Sequence, residues 1–158
     1  MNKALFLDRD GVVNVERDFV FKIDQFVFNK GIFDVCLKFQ NSGFLIFIIT
    51  NQSGIARGYY SLNEFQLLTG WMINMFRIHG VKIQKVYFCP HHPAHGGECE
   101  CRKPKPGMII EACNEFNIDL SQSVLIGDKI SDIQSGEKAG IRTNIMVKNG
   151  FFDEIIFG

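Results

Sequence analysis

The feature of this sequence that most constrains its fold is an alternation of short apolar runs with longer helical patterns. The apolar runs have the composition of buried strands and lie at residues 3–7, 44–50, 84–88, 123–127 and 143–147. The helical patterns between them lie at residues 31–41, 61–79, 106–116 and 131–139. Such an alternation is typical of βαβ units. It predicts an α/β, Rossmann-like fold with a mainly parallel sheet and helices on both faces.

The size and charge of the chain indicate an ordinary globular protein. It has 158 residues, of which 46% are hydrophobic, and 17 Lys+Arg balance 17 Asp+Glu. We expect a single domain over residues 1–158, without broad affinity for nucleic acid or membrane surfaces. No apolar run approaches the roughly 18 residues of a membrane span, and the N-terminus does not resemble a signal peptide. We therefore expect a cytoplasmic protein, and we expect it to be a monomer. The apolar end at 151–158 leaves two alternatives open, docking on the domain or pairing with another subunit.

Polar residues follow the predicted strands at the points where the strands end. Residues 8–11 follow the first strand, residues 50–54 the second, and residues 127–129 the fourth. The third strand leads into a Cys- and His-rich segment that ends at Arg102 and Lys103. Ligands of parallel sheets bind outside the carboxyl ends of the strands, so we expect these residues to share one site.

Three carboxylates stand among these strand ends. Asp8 and Asp10 are two residues apart and should project to one side, and Gly11 permits a tight turn after them. Asp128 arrives from another strand. A single aspartate in such a place is usually a turn-forming residue. Three that converge would repel one another, and a Mg²⁺ ion would relieve that repulsion.

Four motifs resemble those of the haloacid dehalogenase superfamily of aspartate-nucleophile phosphatases. They are DRDGVVN at 8–14, TNQSG at 50–54, Lys103 within CRKPKPGM, and GDKISD at 127–132. They occur in the order of that family and extend over nearly the whole chain. The resemblance implies a Mg²⁺-dependent phosphoric monoester hydrolase that forms an aspartyl-phosphate.

The resemblance also implies a role for each motif residue. Asp8 would be the nucleophile and Asp10 the general acid and base. Thr50 would hydrogen-bond the phosphoryl group, and Lys103 would neutralise its charge. Asp8, the carbonyl of Asp10 and Asp128 would hold the Mg²⁺. Splitting the displacement through a covalent carboxyl-phosphate divides one high barrier into two lower ones.

The segment at residues 89–107 is too long and irregular for a plain connection. It contains the ligands for a closed, structural zinc site: Cys89, Cys99 and Cys101 with His91, His92 or His95. Clustered cysteines in a cytoplasmic chain favour a metal over disulfides. The C-x-H pattern of the relatives favours His91. A zinc-bound loop would hold the adjacent Arg102 and Lys103 in place.

Two branches of the superfamily combine such a zinc loop with the CRKPKP motif. The stretch TNQSGIARGYYS at 50–61 resembles the D-glycero-D-manno-heptose 1,7-bisphosphate 7-phosphatases, which lack a separate cap domain and supply a precursor of bacterial surface polysaccharide. The short interval from His91 to Cys99 is nearer to the histidinol-phosphate phosphatases, which remain the alternative. A non-catalytic, zinc-stabilised binding module is a third hypothesis, and the intact catalytic motifs disfavour it.

The heptose branch selects its substrate with short loops, and its pattern implies a set of substrate-binding residues. These are Glu16, Arg17, Asp18, Phe19, Asn51, Gln52, Ser53, Arg57, Arg102 and Lys129. Arg57 and Arg102 suit the second phosphate because a guanidinium binds phosphate oxygens in a fork. From the residues alone, Lys129 could equally be a surface lysine. Asp132 could lie behind the metal ligands or be a first-turn acid of its helix.

Overall fold

The computed structural model describes residues 1–148, 150 and 152. Over these residues the chain forms five strands: β1 (Lys3–Leu7), β2 (Phe44–Asn51), β3 (Ile83–Cys89), β4 (Val124–Gly127) and β5 (Thr143–Met146). It also forms four α-helices: α1 (Ile32–Asn41), α2 (Leu62–Ile78), α3 (Gly107–Phe116) and α4 (Ile130–Ala139). Short 3₁₀ turns lie at Ile23–Gln25 and Leu120–Gln122.

The strands form one parallel sheet in the order β3-β2-β1-β4-β5. From β1 the chain adds β2 and then β3 on one side. It then crosses to the other side of β1, where it adds β4 and β5. The crevice for a ligand in such a sheet lies at the carboxyl ends where the direction reverses. The predicted α/β fold is confirmed, and the strand and helix ends fall within about two residues of the predicted ones.

Hydrophobic side chains cover both faces of the sheet. Alternate residues of β1 point to opposite faces, so Leu5 and Leu7 pack in the core formed with α1 and α2. Ala4 and Phe6 pack in the second core, formed with α3 and α4. All four side chains are fully buried, and burying one Leu or Phe contributes about 1.5–3 kcal/mol. A sheet buried on both faces holds its strand ends rigidly.

The start of α2 is set by a capping box at Ser61 and Glu64. The Ser61 hydroxyl accepts a hydrogen bond from the Glu64 amide, and the Glu64 carboxylate accepts one from the Ser61 amide, both at 3.0 Å. These bonds satisfy two amides that the helix leaves unpaired. They also fix where the loop after β2 ends, and this loop contributes several residues to the site.

Most of the apolar C-terminal segment lies outside the described residues, and so does its predicted docking or pairing. Phe152 is described, and it is buried in the core on the side of α1 and α2. Among the described residues, no helix combines the length and apolarity that a bilayer crossing requires.

Candidate active site

The parallel pairing of β1 and β4 places Asp8 beside Asp128. The Asp8 amide, just beyond β1, donates to the carbonyl of Ile126 in β4 at 3.1 Å. Gly11 lies in the turn that follows, with φ +92°. A Cβ atom on Gly11 would lie 2.0 Å from the Asp128 Oδ2 atom, so only glycine fits against this carboxylate.

Three carboxylates gather at this edge of the sheet. Oxygens of Asp8, Asp128 and Asp132 lie within 4.8 Å of one another. Asp132, in the first turn of α4, accepts hydrogen bonds from the amides of Asp128 and Lys129, both at 3.1 Å. Burial is the main cause that raises the pKa of the Asp8 and Asp128 carboxyls.

This carboxylate cluster fits a divalent cation. The Oδ1 atom of Asp128 is buried and has no hydrogen-bond partner among the described residues. A buried acceptor without a donor is costly unless a cation or water faces it. The predicted magnesium ligands were the side chains of Asp8 and Asp128 and the backbone carbonyl of Asp10. In the structure, the carboxylate cluster also contains Asp132.

Lys103 lies against the same carboxylates. Its Nζ atom is 2.8 Å from Asp8 Oδ1 and 2.6 Å from Asp132 Oδ1, and it donates to the carbonyl of Ile49 at 3.1 Å. Burial by itself would lower the pKa of Lys103, but the two carboxylates outweigh burial and raise it above its ordinary range. The ammonium group therefore stays charged within the site.

The end of β2 positions the backbone of Lys103. The Asn51 side chain accepts a hydrogen bond from the Lys103 amide at 3.1 Å, and its own amide group donates to the Lys103 carbonyl at 3.4 Å. The peptide bond between Lys103 and Pro104 is cis. Asn51 was predicted to bind substrate, and the contacts that the structure shows for its side chain are with the backbone of Lys103.

Asp10 has a different environment from that of Asp8. Its Oδ1 atom accepts from Arg9 Nη2 and Asn14 Nδ2, both at 3.0 Å. Its Oδ2 atom accepts from Gln52 Nε2 at 3.1 Å, and the same amide donates to Thr50 Oγ1 at 2.9 Å. The structure thus connects Asp10 with Thr50 through Gln52, and Asp8 with Lys103 directly.

A cavity of about 500 Å³ is lined by Asp10, Gln52 and Lys103. Nine of the ten predicted substrate-binding residues line it: Glu16, Arg17, Asp18, Phe19, Asn51, Gln52, Ser53, Arg102 and Lys129. The tenth, Arg57, is not among the described residues that line this cavity, and its Nη2 atom lies 2.7 Å from Nε2 of His92. Cationic side chains at the wall of the cavity suit a phosphorylated ligand.

The Cys- and His-rich segment brings its predicted ligands together. Single ligand atoms of Cys89, His91, Cys99 and Cys101 lie within 4.8 Å of one another. None of these cysteines is in a disulfide. Since His92 faces Arg57, His91 is the histidine that this cluster uses. Burial opposes ionisation of the Cys99 thiol, but hydrogen bonds from the Arg102 amide and the neighbouring thiols lower its pKa to about 7.

Sequence reasoning did not assign roles to Arg9, Asn14 or Tyr60. Arg9 is almost fully buried, and its Nη2 atom contacts Asp10 and also donates to the carbonyl of Val20 at 2.7 Å. It therefore ties a loop that lines the cavity to the predicted acid and base. The available signal was a place within a family motif: Arg9 and Asn14 lie in DRDGVVN, and Tyr60 lies in TNQSGIARGYYS.

Comparison with known proteins identifies the family. The HAD-hydrolase-like family model matches residues 100–155. The D-glycero-alpha-D-manno-heptose-1,7-bisphosphate 7-phosphatase of Campylobacter jejuni is 50% identical over 92% of this chain and 82% of its own length. The D-glycero-beta-D-manno-heptose-1,7-bisphosphate 7-phosphatase of Pasteurella multocida is 45% identical, with coverages of 95% and 84%. The chain belongs to the heptose bisphosphate phosphatase family of haloacid dehalogenase-like hydrolases.

Two solved structures of similar phosphatases have the same fold. A putative HAD-like phosphatase from Mesorhizobium loti superposes with a TM-score of 0.87 at 34% identity, over 95% of this chain and 77% of the other. D,D-heptose 1.7-bisphosphate phosphatase from B. bronchiseptica, complexed with magnesium and phosphate, gives 0.85 at 32% identity, over 94% and 83%. The predicted superfamily and the predicted phosphoric monoester hydrolase activity are thereby confirmed.

Proposed function

We propose that this enzyme removes the 7-phosphate of D-glycero-D-manno-heptose 1,7-bisphosphate, in the synthesis of bacterial surface polysaccharide. The observation that carries the proposal is the 43–50% identity to several phosphatases named for this substrate. The cavity is consistent with it, since Arg102 and Lys129 line its wall together with the loop at Glu16–Phe19. Histidinol phosphate, the alternative substrate from the sequence, is not favoured by these relatives.

In the first step, the Asp8 carboxylate would attack the phosphorus atom of the 7-phosphate. A bond forms between Asp8 and phosphorus while the bond from phosphorus to the sugar oxygen breaks. The Asp10 carboxyl donates its proton to that leaving oxygen. The Lys103 ammonium, which lies against Asp8, offsets the negative charge on the phosphoryl oxygens, and the Thr50 hydroxyl donates to one of them.

In the second step, the aspartyl-phosphate would be hydrolysed. The Asp10 carboxylate takes a proton from a water molecule as the water oxygen attacks phosphorus. The bond from phosphorus to Asp8 then breaks, which regenerates the Asp8 carboxylate and releases inorganic phosphate. Arg9, Asn14 and Gln52 hold the Asp10 carboxylate in one position through both steps.

Two metal sites complete the proposal. Asp8, Asp128 and Asp132, with the carbonyl of Asp10, would hold a Mg²⁺ ion, which would neutralise charge on the phosphoryl group. Cys89, His91, Cys99 and Cys101 would hold a structural Zn²⁺ ion. The second site would act through Arg102, which donates to the carbonyl of His91 at 3.4 Å and reaches the cavity.

The arginines would have separate parts in substrate recognition. We assign the 1-phosphate to Arg102 because its guanidinium lines the cavity and can bind two phosphate oxygens at once. Arg57 contacts His92 of the zinc loop, so we assign it the role of holding that loop against the residues that follow β2.

Phosphate release from a panel of substrates tests the proposed function. The panel contains both anomers of the heptose bisphosphate, histidinol phosphate and p-nitrophenyl phosphate, each with and without Mg²⁺. We expect Mg²⁺-dependent turnover with a strong preference for a heptose bisphosphate. A preference for histidinol phosphate would support the alternative substrate, and no release from any substrate would support a binding module.

We also propose that residues 1–158 form one domain that acts as a cytoplasmic monomer on this small sugar bisphosphate. The single sheet, with a core on each face, supports the assignment of one domain. Sedimentation equilibrium should give a mass near the 18.0 kDa of one chain. A stable dimer mass would contradict the monomer assignment and leave the chemistry untouched.

A further inference from the structure

Tyr60 is a buried residue for which the mechanism has so far given no role. It is 5% exposed and immediately precedes the capping box of α2. Its ring stacks on Phe21 with the planes 7° apart and the centroids 5.2 Å apart. On another side it packs against Gly54, where an added Cβ atom would lie 2.2 Å from the ring. The ring is thus held in place, and its hydroxyl donates a hydrogen bond to Gln52 Oε1.

Gln52 uses its other end to contact two catalytic groups. Its Nε2 atom donates to Asp10 Oδ2 at 3.1 Å and to Thr50 Oγ1 at 2.9 Å. An ionised carboxylate can only accept hydrogen bonds, so the amide must present its nitrogen to Asp10. If the amide turned over, its oxygen would face the carboxylate oxygen, and the bond would become a repulsion.

The orientation of the Gln52 amide also decides what Thr50 can do. Because the Thr50 oxygen accepts a hydrogen bond from Gln52, its own hydrogen is left to donate, and in the structure it makes only a long bond of 3.4 Å to the carbonyl of Asn51. In the proposed mechanism a phosphoryl oxygen replaces that carbonyl as the acceptor. With the amide reversed, the Thr50 hydroxyl would instead donate to the Gln52 oxygen and be lost to the substrate.

We propose that Tyr60 is a positioning residue whose hydroxyl holds the Gln52 amide in the one orientation that serves both Asp10 and Thr50. The inference rests on the proposed roles of Asp10 and Thr50 and adds a residue at the wall of the cavity that reaches both groups through Gln52. Burial raises the pKa of Tyr60 to about 12, so the hydroxyl keeps its proton at neutral pH.

The test is the substitution Tyr60→Phe, which keeps the ring and removes the hydroxyl. We expect kcat to fall about 10- to 100-fold, with little change in KM. This is the range typical for loss of a residue that orients a functional group through a hydrogen bond. The matched control is Tyr87→Phe. Tyr87 is also buried, but its hydroxyl donates to Glu115 on α3 at 2.9 Å, and its loss should leave kcat unchanged. A wild-type kcat in Tyr60→Phe would overturn the inference.

A double-mutant cycle with Gln52→Ala separates positioning from a general structural effect. If Tyr60 acts through Gln52, Tyr60→Phe should cause no further loss of kcat once the glutamine is absent. Equal losses in both backgrounds would overturn the inference.

The cycle is measured with heptose bisphosphate and with p-nitrophenyl phosphate, since hydrolysis of the aspartyl-phosphate is common to both. If the proposed heptose substrate is wrong, the coupling still appears with the generic ester. The mechanism on which the inference rests is tested separately with Asp10→Asn. Retained turnover in that variant would refute the mechanism, whatever the double-mutant cycle gives.

Discussion

Replacing Lys103 with methionine tests the electrostatic design of the site. The Lys103 ammonium lies 2.8 Å from Asp8 and 2.6 Å from Asp132, and all three side chains are at most 9% exposed. The substitution keeps a long apolar chain but leaves two buried carboxylates without their cation. We expect both turnover and stability to be lost.

The size of the effect follows from the burial. Removing one partner of a buried ion pair costs about 3–5 kcal/mol, because the remaining charge is left desolvated. The matched control is Lys85→Met. Lys85 forms an ion pair of similar length with Glu115, 2.9 Å, but both side chains are about 40% exposed. A pair exposed to water contributes only about 0–1 kcal/mol, so the control should be nearly neutral.

Urea unfolding at pH 7, in EDTA and again in Mg²⁺, measures these differences. The pKa of Lys103 is higher in the folded state than in the unfolded state. Its contribution to the free energy of unfolding is therefore fully present below the pKa of an unfolded lysine, about 10.4. That contribution is lost only as the pH rises through the folded-state pKa. We expect the loss in Lys103→Met to be largest in EDTA and smaller in Mg²⁺, because a bound cation also compensates the carboxylates. Equal losses of unfolding free energy in the two variants would refute the electrostatic reasoning.

Three further predictions concern the nucleophile, the zinc loop and the buried tyrosine. Asp8→Asn should abolish phosphate release at an unchanged circular dichroism spectrum, and near-normal activity in a pure sample would exclude Asp8 as the nucleophile. Removing zinc from the metal-loaded enzyme with a chelator should lower Tm and raise KM, because Arg102 loses its anchor; unchanged melting and kinetics would contradict the zinc-clamp role. Tyr60 has a folded pKa of about 12, above the unfolded value of about 10, so its contribution to stability is fully present below pH 10 and lost as pH rises through 12. The unfolding free energy of wild type relative to Tyr60→Phe should fall over that range, and a constant difference would count against the burial of this hydroxyl.

Local patterns in the sequence were sufficient to predict the elements and the edge of the sheet where the polar residues gather. Buried strands are short apolar runs and surface helices have a repeating apolar face, so the alternation predicted the parallel sheet. Because parallel strands end at one edge, the polar residues after β1, β2 and β4 could be assigned to one site from the sequence alone. The family motifs then implied roles for Asp8, Asp10 and Lys103.

Contacts between distant parts of the chain were decided only by the tertiary structure. Asp8 and Lys103 are 95 residues apart, and no local rule states that Asp132 shares the same ammonium. The link from Tyr60 to Asp10 through Gln52 and the contact between His92 and Arg57 depend on which way individual side chains turn. Sequence periodicity specifies which face of an element is buried, whereas the partner of a polar side chain depends on how the strands register and on where each loop returns to the sheet.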